Sequence, residues 1–198
     1  KLFTNSRTGG LFTKLFVYQT VSLTSVCLPN CTVYVGLFTK SVCLRNLFTN
    51  SRGGLLVYET ARLFISADSR YRLYVNGQYV AFGPARSYPW QQCVEQHDIS
   101  ECLTEGENTI AVLAYQPGYS HFSYVHRAAA GVLVELFIDD KSIVTSDTTW
   151  KASGDQSFSS DVKRISIYGG GQERRDLQKH ESWTQANYND QQWPQARI

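Results

Sequence analysis

Tyr71, Leu73 and Val75 place apolar side chains on one face of an extended segment, while Arg70, Arg72 and Tyr74 occupy the other. This period of two predicts a strand with one side buried. Asn76-Gly77 follows, a pair that tolerates the positive φ of a two-residue type I′ turn, and Gln78 to Phe82 returns with Tyr79, Ala81 and Phe82. A β-hairpin is therefore expected, ended at Gly83-Pro84 because proline has no N–H for the ladder. Ahead of it, Arg62 to Ser66 reads as a strand and Ala67 to Ser69 as a turn. Beyond it, Ser87 to Gln96 reads as a loop, and Asp98 to Leu103 as one helical turn capped by Asp98 with Glu101 three residues on. Glu105 to Asn108 is a turn into a β-prone strand, Thr109 to Tyr115, and Gln116 to Ala130 is a long connection. Gly131 to Ile138 has the continuous apolar run of a buried strand, turned by Asp139-Asp140 so that Ser142 to Thr145 pairs back. Ser166 to Tyr168 is expected as a last short strand before Gly169-Gly170-Gly171.

The first sixty residues have a different texture. LFTNSR occurs at Leu2 and Leu47, LFTK at Leu11 and Leu37, and SVCL at Ser25 and Ser41, with offsets of 45, 26 and 16. A stacked repeat needs a constant unit, so this is not a solenoid. Residues 1–60 are read as a low-complexity leader and 61–198 as the domain. Leu11 to Tyr58 either supplies makeshift strands or leaves the sandwich with an open edge.

Charge sharpens that division. Lys1 to Tyr58 holds six Lys/Arg and no Asp/Glu, whereas the remainder holds 13 against 17, a net of −4. The basic residues of the leader are scattered singly, a weak electrostatic footprint, and no nucleic-acid partner is expected. No run of about 20 apolar residues suggests a spanning helix, and no membrane partner is expected. The sequence contains no Met and begins at Lys1, so the chain is read as a fragment or cleaved product. Cys27, Cys31, Cys43, Cys93 and Cys102 are odd in number and irregular in spacing, which argues against a disulfide framework. Cys27 and Cys31 lack the further ligands of a zinc site. No metal and no cofactor is expected, and Cys93 and Cys102 are read as small apolar fillers.

ADSRYRLYVNG followed by FGPARSYP, with DIS and then EGENTIAV downstream, resembles the N-terminal accessory β-sandwich of bacterial α-L-rhamnosidases of glycoside hydrolase family 78. The resemblance runs from about Ala61 to the C-terminus. Asp147 to Lys151 resembles a recurrent Asp, Thr and Trp segment, and Tyr188-Asn189-Asp190 with Trp193 and Ala196 resembles the closing signature. Glu173 and Asp176 resemble a Glu and an Asp that an aromatic usually separates; Arg174 and Arg175 stand there instead. The resemblance implies an all-β, jelly-roll β-sandwich of the galactose-binding-like kind, an expectation the patterning supports independently. It also implies a non-catalytic accessory role beside a catalytic α-helical barrel domain that this chain is too short to contain.

Glycoside hydrolysis needs two carboxyl groups flanking the scissile bond. Glu135, Asp139, Asp140, Glu173 and Asp176 are available, but Asp139-Asp140 sits where a turn favours Asp for backbone reasons, and no catalytic residue is assigned. Tyr115, Tyr119, His121, Phe122 and Tyr124, concentrated in one connection, are the carbohydrate-contact candidates. Aromatic faces stack on the C–H face of a pyranose while phenol and imidazole bond its hydroxyls. Packing of these aromatics onto the sheet or a neighbouring domain is the leading expectation, and contact with rhamnose-containing glycans is the functional candidate beside it. Trp90, Trp183 and Trp193 are expected as core or inter-domain anchors, and Arg86 as a partner of backbone carbonyls at the hairpin base. Two readings of the whole chain stay open beside this one: a structural or protein-binding sandwich without sugar affinity, and the truncated start of a full α-L-rhamnosidase.

Overall fold

The computed structural model describes residues 21–22, 34–44, 58–88, 90–126, 130–159, 161–164, 166–168 and 171–197. Among the described residues, ten strands form two five-stranded sheets, and every strand pairing is antiparallel. They are β1 (Val21–Ser22), β2 (Tyr34–Cys43), β3 (Ala61–Asp68), β4 (Arg70–Val75), β5 (Gln78–Gly83), β6 (Glu95–Asp98), β7 (Glu107–Gln116), β8 (Gly131–Ile138), β9 (Lys141–Thr145) and β10 (Lys151–Gly154). One sheet runs β1-β8-β3-β6, with β9 also on β8; the other runs β10-β2-β7-β4-β5.

The core lies between the sheets and follows the alternation of each strand. Leu63 and Ile65 of β3 and Val134, Leu136 and Ile138 of β8 meet Tyr71, Leu73 and Val75 of β4 and Ile110 and Val112 of β7, all buried. The β4–β5 hairpin turns at Asn76-Gly77, with φ of 50° and 80°, as the sequence predicts. Asparagine does more there than accept a left-handed backbone. Its Oδ1 accepts the Thr109 N–H at 2.8 Å and its Nδ2 donates to Cys102 O and Asn108 Oδ1, which fastens the turn to the start of β7. The β8–β9 hairpin turns at Asp139-Asp140 with φ of 46° and 64°. The Asp139 carboxylate accepts the Glu59 and Thr60 N–H groups, which confirms a backbone reason for that residue.

Several expectations need correction. Part of the expected Ser87–Gln96 loop is strand: β6 pairs with β3 from Arg62↔Asp98 to Ile65↔Glu95. Its sequence, Glu-Gln-His-Asp, carries no apolar signal because it is a polar edge strand, a composition that discourages further pairing. The expected helical turn is a short 3-10 turn, Ser100–Cys102, and the Asp98 carboxylate accepts from Ser100 N–H and Oγ rather than forming a reciprocal box with Glu101. Ser166 to Tyr168 is a bend, not a strand. Cys93 and Cys102 are half-buried free thiols, whereas Cys27 and Cys31 lie outside the described residues, as do the LFTNSR strings. The second LFTK string falls inside β2, which pairs with β7 over ten residues and with β10 on its other side.

β7 is buried on both faces. Ile110, Val112 and Ala114 point into the core, while Ala111 and Leu113 pack outward beneath Trp183, with Tyr74, Phe158, Tyr188 and Trp193 around them. The C-terminal segment therefore folds over the outer face of the β7 sheet. Trp183 is buried and Trp193 partly so; Trp90, by contrast, is 73% exposed and stacked on Tyr88 at 5.1 Å between ring centroids.

Candidate functional site

The outer face of the β5-β4-β7 strands sets two rows of side chains next to one another. Phe82, Arg72 and Leu113 are opposite each other across three strands, and Arg70 and Tyr115 form the adjacent row. At the Tyr74 end this face is closed by Trp183, whose ring meets Tyr74 edge-on at 5.8 Å. At the Arg70 end it stays open, roofed by two antiparallel arms of the C-terminal segment. Phe158 bridges Arg175, Arg164 bridges Gly171, and Ser159 N–H donates to Arg174 O at 2.9 Å. The guanidinium of Arg175 lies 4.9 Å above the Phe158 ring and holds the arms together.

Between sheet and arms is a pocket of about 230 Å³, lined chiefly by Arg70, Arg72, Phe82, Tyr115, Glu173 and Arg174. That volume is room for at least roughly seven waters at ~30 Å³ each, enough for one small ring. Burial, with the neighbouring Tyr119, pushes the Tyr115 phenol above its ordinary value; Arg70 opposes the shift and Glu173 adds to it. The phenol is thus a proton donor at neutral pH.

The other loop candidates stand beside the pocket rather than in its wall. Tyr119, His121 and Tyr124 form a chain of ring contacts, 6.3 Å from Tyr119 to His121 and 5.8 Å from His121 to Tyr124. The Arg164 guanidinium sits 4.8 Å over Tyr119, Phe122 meets Tyr168 edge-on, and the Tyr124 hydroxyl donates to Asp68 at 2.6 Å. Each ring is already engaged with the protein, while the buried Tyr119 hydroxyl has no hydrogen-bond partner among the described residues. Burial and the charges of Arg70, Arg164 and Arg86 hold His121 below the usual imidazole range, so it is neutral at pH 7. Arg86 makes no hydrogen bond to a carbonyl among the described residues; it is exposed, and its charge reaches His121 instead.

The carboxylates do not converge. Glu135 is buried against the Ser142 hydroxyl, Asp139 holds backbone, Asp140 pairs with Arg62, and Asp176 accepts the Gln178 N–H; Glu173 alone of the five lines the pocket. Another polar group closes the sandwich edge. The buried Tyr71 hydroxyl donates to the Glu95 carboxylate and meets His97 Nε2 at 2.8 Å, while Glu95 also accepts the Ala85 N–H at 2.7 Å. Burial and the Glu95 carboxylate raise the Tyr71 phenol far above its ordinary value.

Residues 57–198 match the family model described as "Alpha-L-rhamnosidase N-terminal domain". The chain belongs to this family. A glycoside hydrolase family 78 rhamnosidase of Bacillus sp. GL1 is similar at 31% identity and a TM-score of 0.75, over 91% of this chain and 17% of that one. An α-L-rhamnosidase from Aspergillus terreus is similar at 20% identity and a TM-score of 0.61, over 83% of this chain and 19% of that one. A lectin of Pleurotus ostreatus is similar at 21% identity and a TM-score of 0.53, over 90% of this chain and 40% of that one. No curated protein matches. The chain thus spans under a fifth of the length of the rhamnosidases it matches. The fold is the all-β jelly-roll sandwich of the galactose-binding-like kind, and what is matched is the N-terminal domain of a glycoside hydrolase family.

Proposed function

We propose that this rhamnosidase N-terminal domain is a non-catalytic carbohydrate-contact module that works beside a catalytic domain on rhamnose-containing glycans. The supporting observation is the pocket on the outer β5-β4-β7 face, where the phenol of Tyr115 and the ring of Phe82 stand among polar groups at the volume of one sugar ring. Aromatic walls with a few convergent polar groups suit a pyranose, which has apolar C–H faces and a polar rim. The likeness to the lectin concerns the fold alone and adds only that such a sandwich can serve sugar binding. With four of the five candidate carboxylates engaged elsewhere, the pocket holds a single carboxylate and lacks the pair that glycoside hydrolysis uses. Calorimetry of the full chain with L-rhamnose and rhamnose-containing oligosaccharides tests the reading. We expect a dissociation constant of about millimolar or tighter, lost in Tyr115→Ala and reduced less in the Tyr119→Ala, His121→Ala double variant. A folded chain that gives no heat with any of these glycans would overturn it.

A second reading, contact with a catalytic domain, draws on the exposed aromatics. Tyr88 and Trp90, in the connection between β5 and β6, are 64% and 73% exposed and stacked on one another. Aromatic clusters of this kind are typical anchors in interfaces. Trp90→Ala is expected to weaken association with a catalytic domain while leaving sugar heats unchanged.

A further inference from the structure

Three arginines and one acidic residue line the pocket. Arg70 and Arg72 rise from β4, Arg174 descends from the roof, and Glu173 is the only acid lining the space. All seventeen Asp and Glu residues of the chain lie among the described residues. The ion pairs there engage Arg62, His97 and Lys179, and no carboxylate pairs with Arg70, Arg72 or Arg174. Nor does any side-chain hydrogen bond engage those three groups among the described residues, in contrast to Arg164 and Arg175, which bond Ser166, Ile167, Ser157 and His180. Guanidinium groups left without a partner around a concavity repel one another, and an anionic ligand relieves that repulsion with charge-assisted, bidentate bonds.

Two features specify the anion. Phe82, 56% exposed, and Tyr115 offer aromatic faces to an apolar C–H surface, which a bare inorganic anion lacks. Glu173 and Gln172 offer acceptors to hydroxyl groups, and the Glu173 charge disfavours a ligand of high negative charge. A ring with hydroxyls and a single negative group meets all of these conditions. We propose that the pocket recognises an acidic saccharide, a hexuronate unit whose carboxylate is taken by Arg70, Arg72 and Arg174. This rests on the carbohydrate-contact reading and names the class of sugar.

The test is calorimetry of the full chain with D-galacturonate and D-glucuronate, with the matching neutral sugars D-galactose and D-glucose, with L-rhamnose, and with sulfate and acetate. Uronate bound at least about tenfold more tightly than its neutral partner is expected, as is weakening between low and high salt. In Arg72→Gln with Arg174→Gln, the preference is expected to fall about tenfold or more, and Arg174→Lys is expected to restore part of it. Circular dichroism and the thermal midpoint verify that these substitutions leave the fold intact. Equal binding of uronate and neutral sugar would overturn the acidic preference and leave the carbohydrate reading standing. Sulfate or acetate binding as tightly as uronate would overturn the saccharide, leaving a simple anion site. Silence with every sugar, neutral and acidic, would overturn both.

Discussion

β4 carries two surfaces on alternate residues, and they differ in almost every physical respect. Inward, Tyr71, Leu73 and Val75 are closed in a dry core between two sheets. Outward, Arg70 and Arg72 line an open pocket and make no ion pair among the described residues. The same division runs along β7, with Ile110, Val112 and Ala114 inside, and Leu113 and Tyr115 outside. Stability and recognition are therefore carried by neighbouring residues of the same strands yet are separable by substitution, because each side chain serves only one face.

The inner face gives the largest effects. Leu73→Ala is expected to cost ~2–5 kcal/mol in denaturant unfolding, since Leu73 is wholly buried and the surrounding sheets relax only partly. A loss near zero would break the comparison at its strongest point. Tyr71→Phe is expected to cost about 1–3 kcal/mol, because it removes the donor to Glu95 and the partner of His97 at the sandwich edge. Arg72→Gln on the opposite face is expected to change stability by less than ~0.5 kcal/mol while altering ligand heats. A large destabilisation from this substitution would show that the two faces are coupled.

The smallest effect is a titration. His121 is held below the ordinary 6.5 by burial and by Arg70, Arg164 and Arg86. Its folded state takes up a proton less readily than the unfolded chain, so its contribution to stability is complete above pH 6.5 and is lost as the pH falls through the folded value. Imidazole resonances followed by NMR should titrate below 6.5 in the parent chain and move upward in Arg70→Gln. Titration at or above 6.5 in the parent would remove burial and the charges of Arg70, Arg164 and Arg86 as the setting of His121.

Much of this fold is legible in local sequence. Asn76-Gly77 and Asp139-Asp140 announce their hairpins because left-handed backbone is a local demand, and Gly131 to Ile138 announces a buried strand by its run of apolar residues. β6 is illegible for the opposite reason: an edge strand made of Glu, Gln, His and Asp shows no hydrophobic period. The pocket is less legible still. Arg70 and Arg72 read as an ordinary solvated strand face, and only the three-dimensional return of Phe158, Ser159 and Gly171 to Arg174 across that face turns them into a wall. Those arms are held by isolated bridges and a cation–ring contact, which leave no periodic trace. Of the loop aromatics that the sequence singles out, Tyr115 lies in the wall because it continues β7; Tyr119, His121 and Tyr124 are spent on one another, on Arg164 and on Asp68.

The separation of faces is tested most directly by mapping amide chemical-shift changes on the full chain as a uronate-containing rhamnosyl oligosaccharide is added. Shifts are predicted at Arg70, Arg72, Phe82, Tyr115 and Gly171 to Arg174, with the inner residues Leu73, Ile110 and Leu136 undisturbed. Shifts confined to the Tyr88–Trp90 edge, or spread through the inner core, would contradict the account.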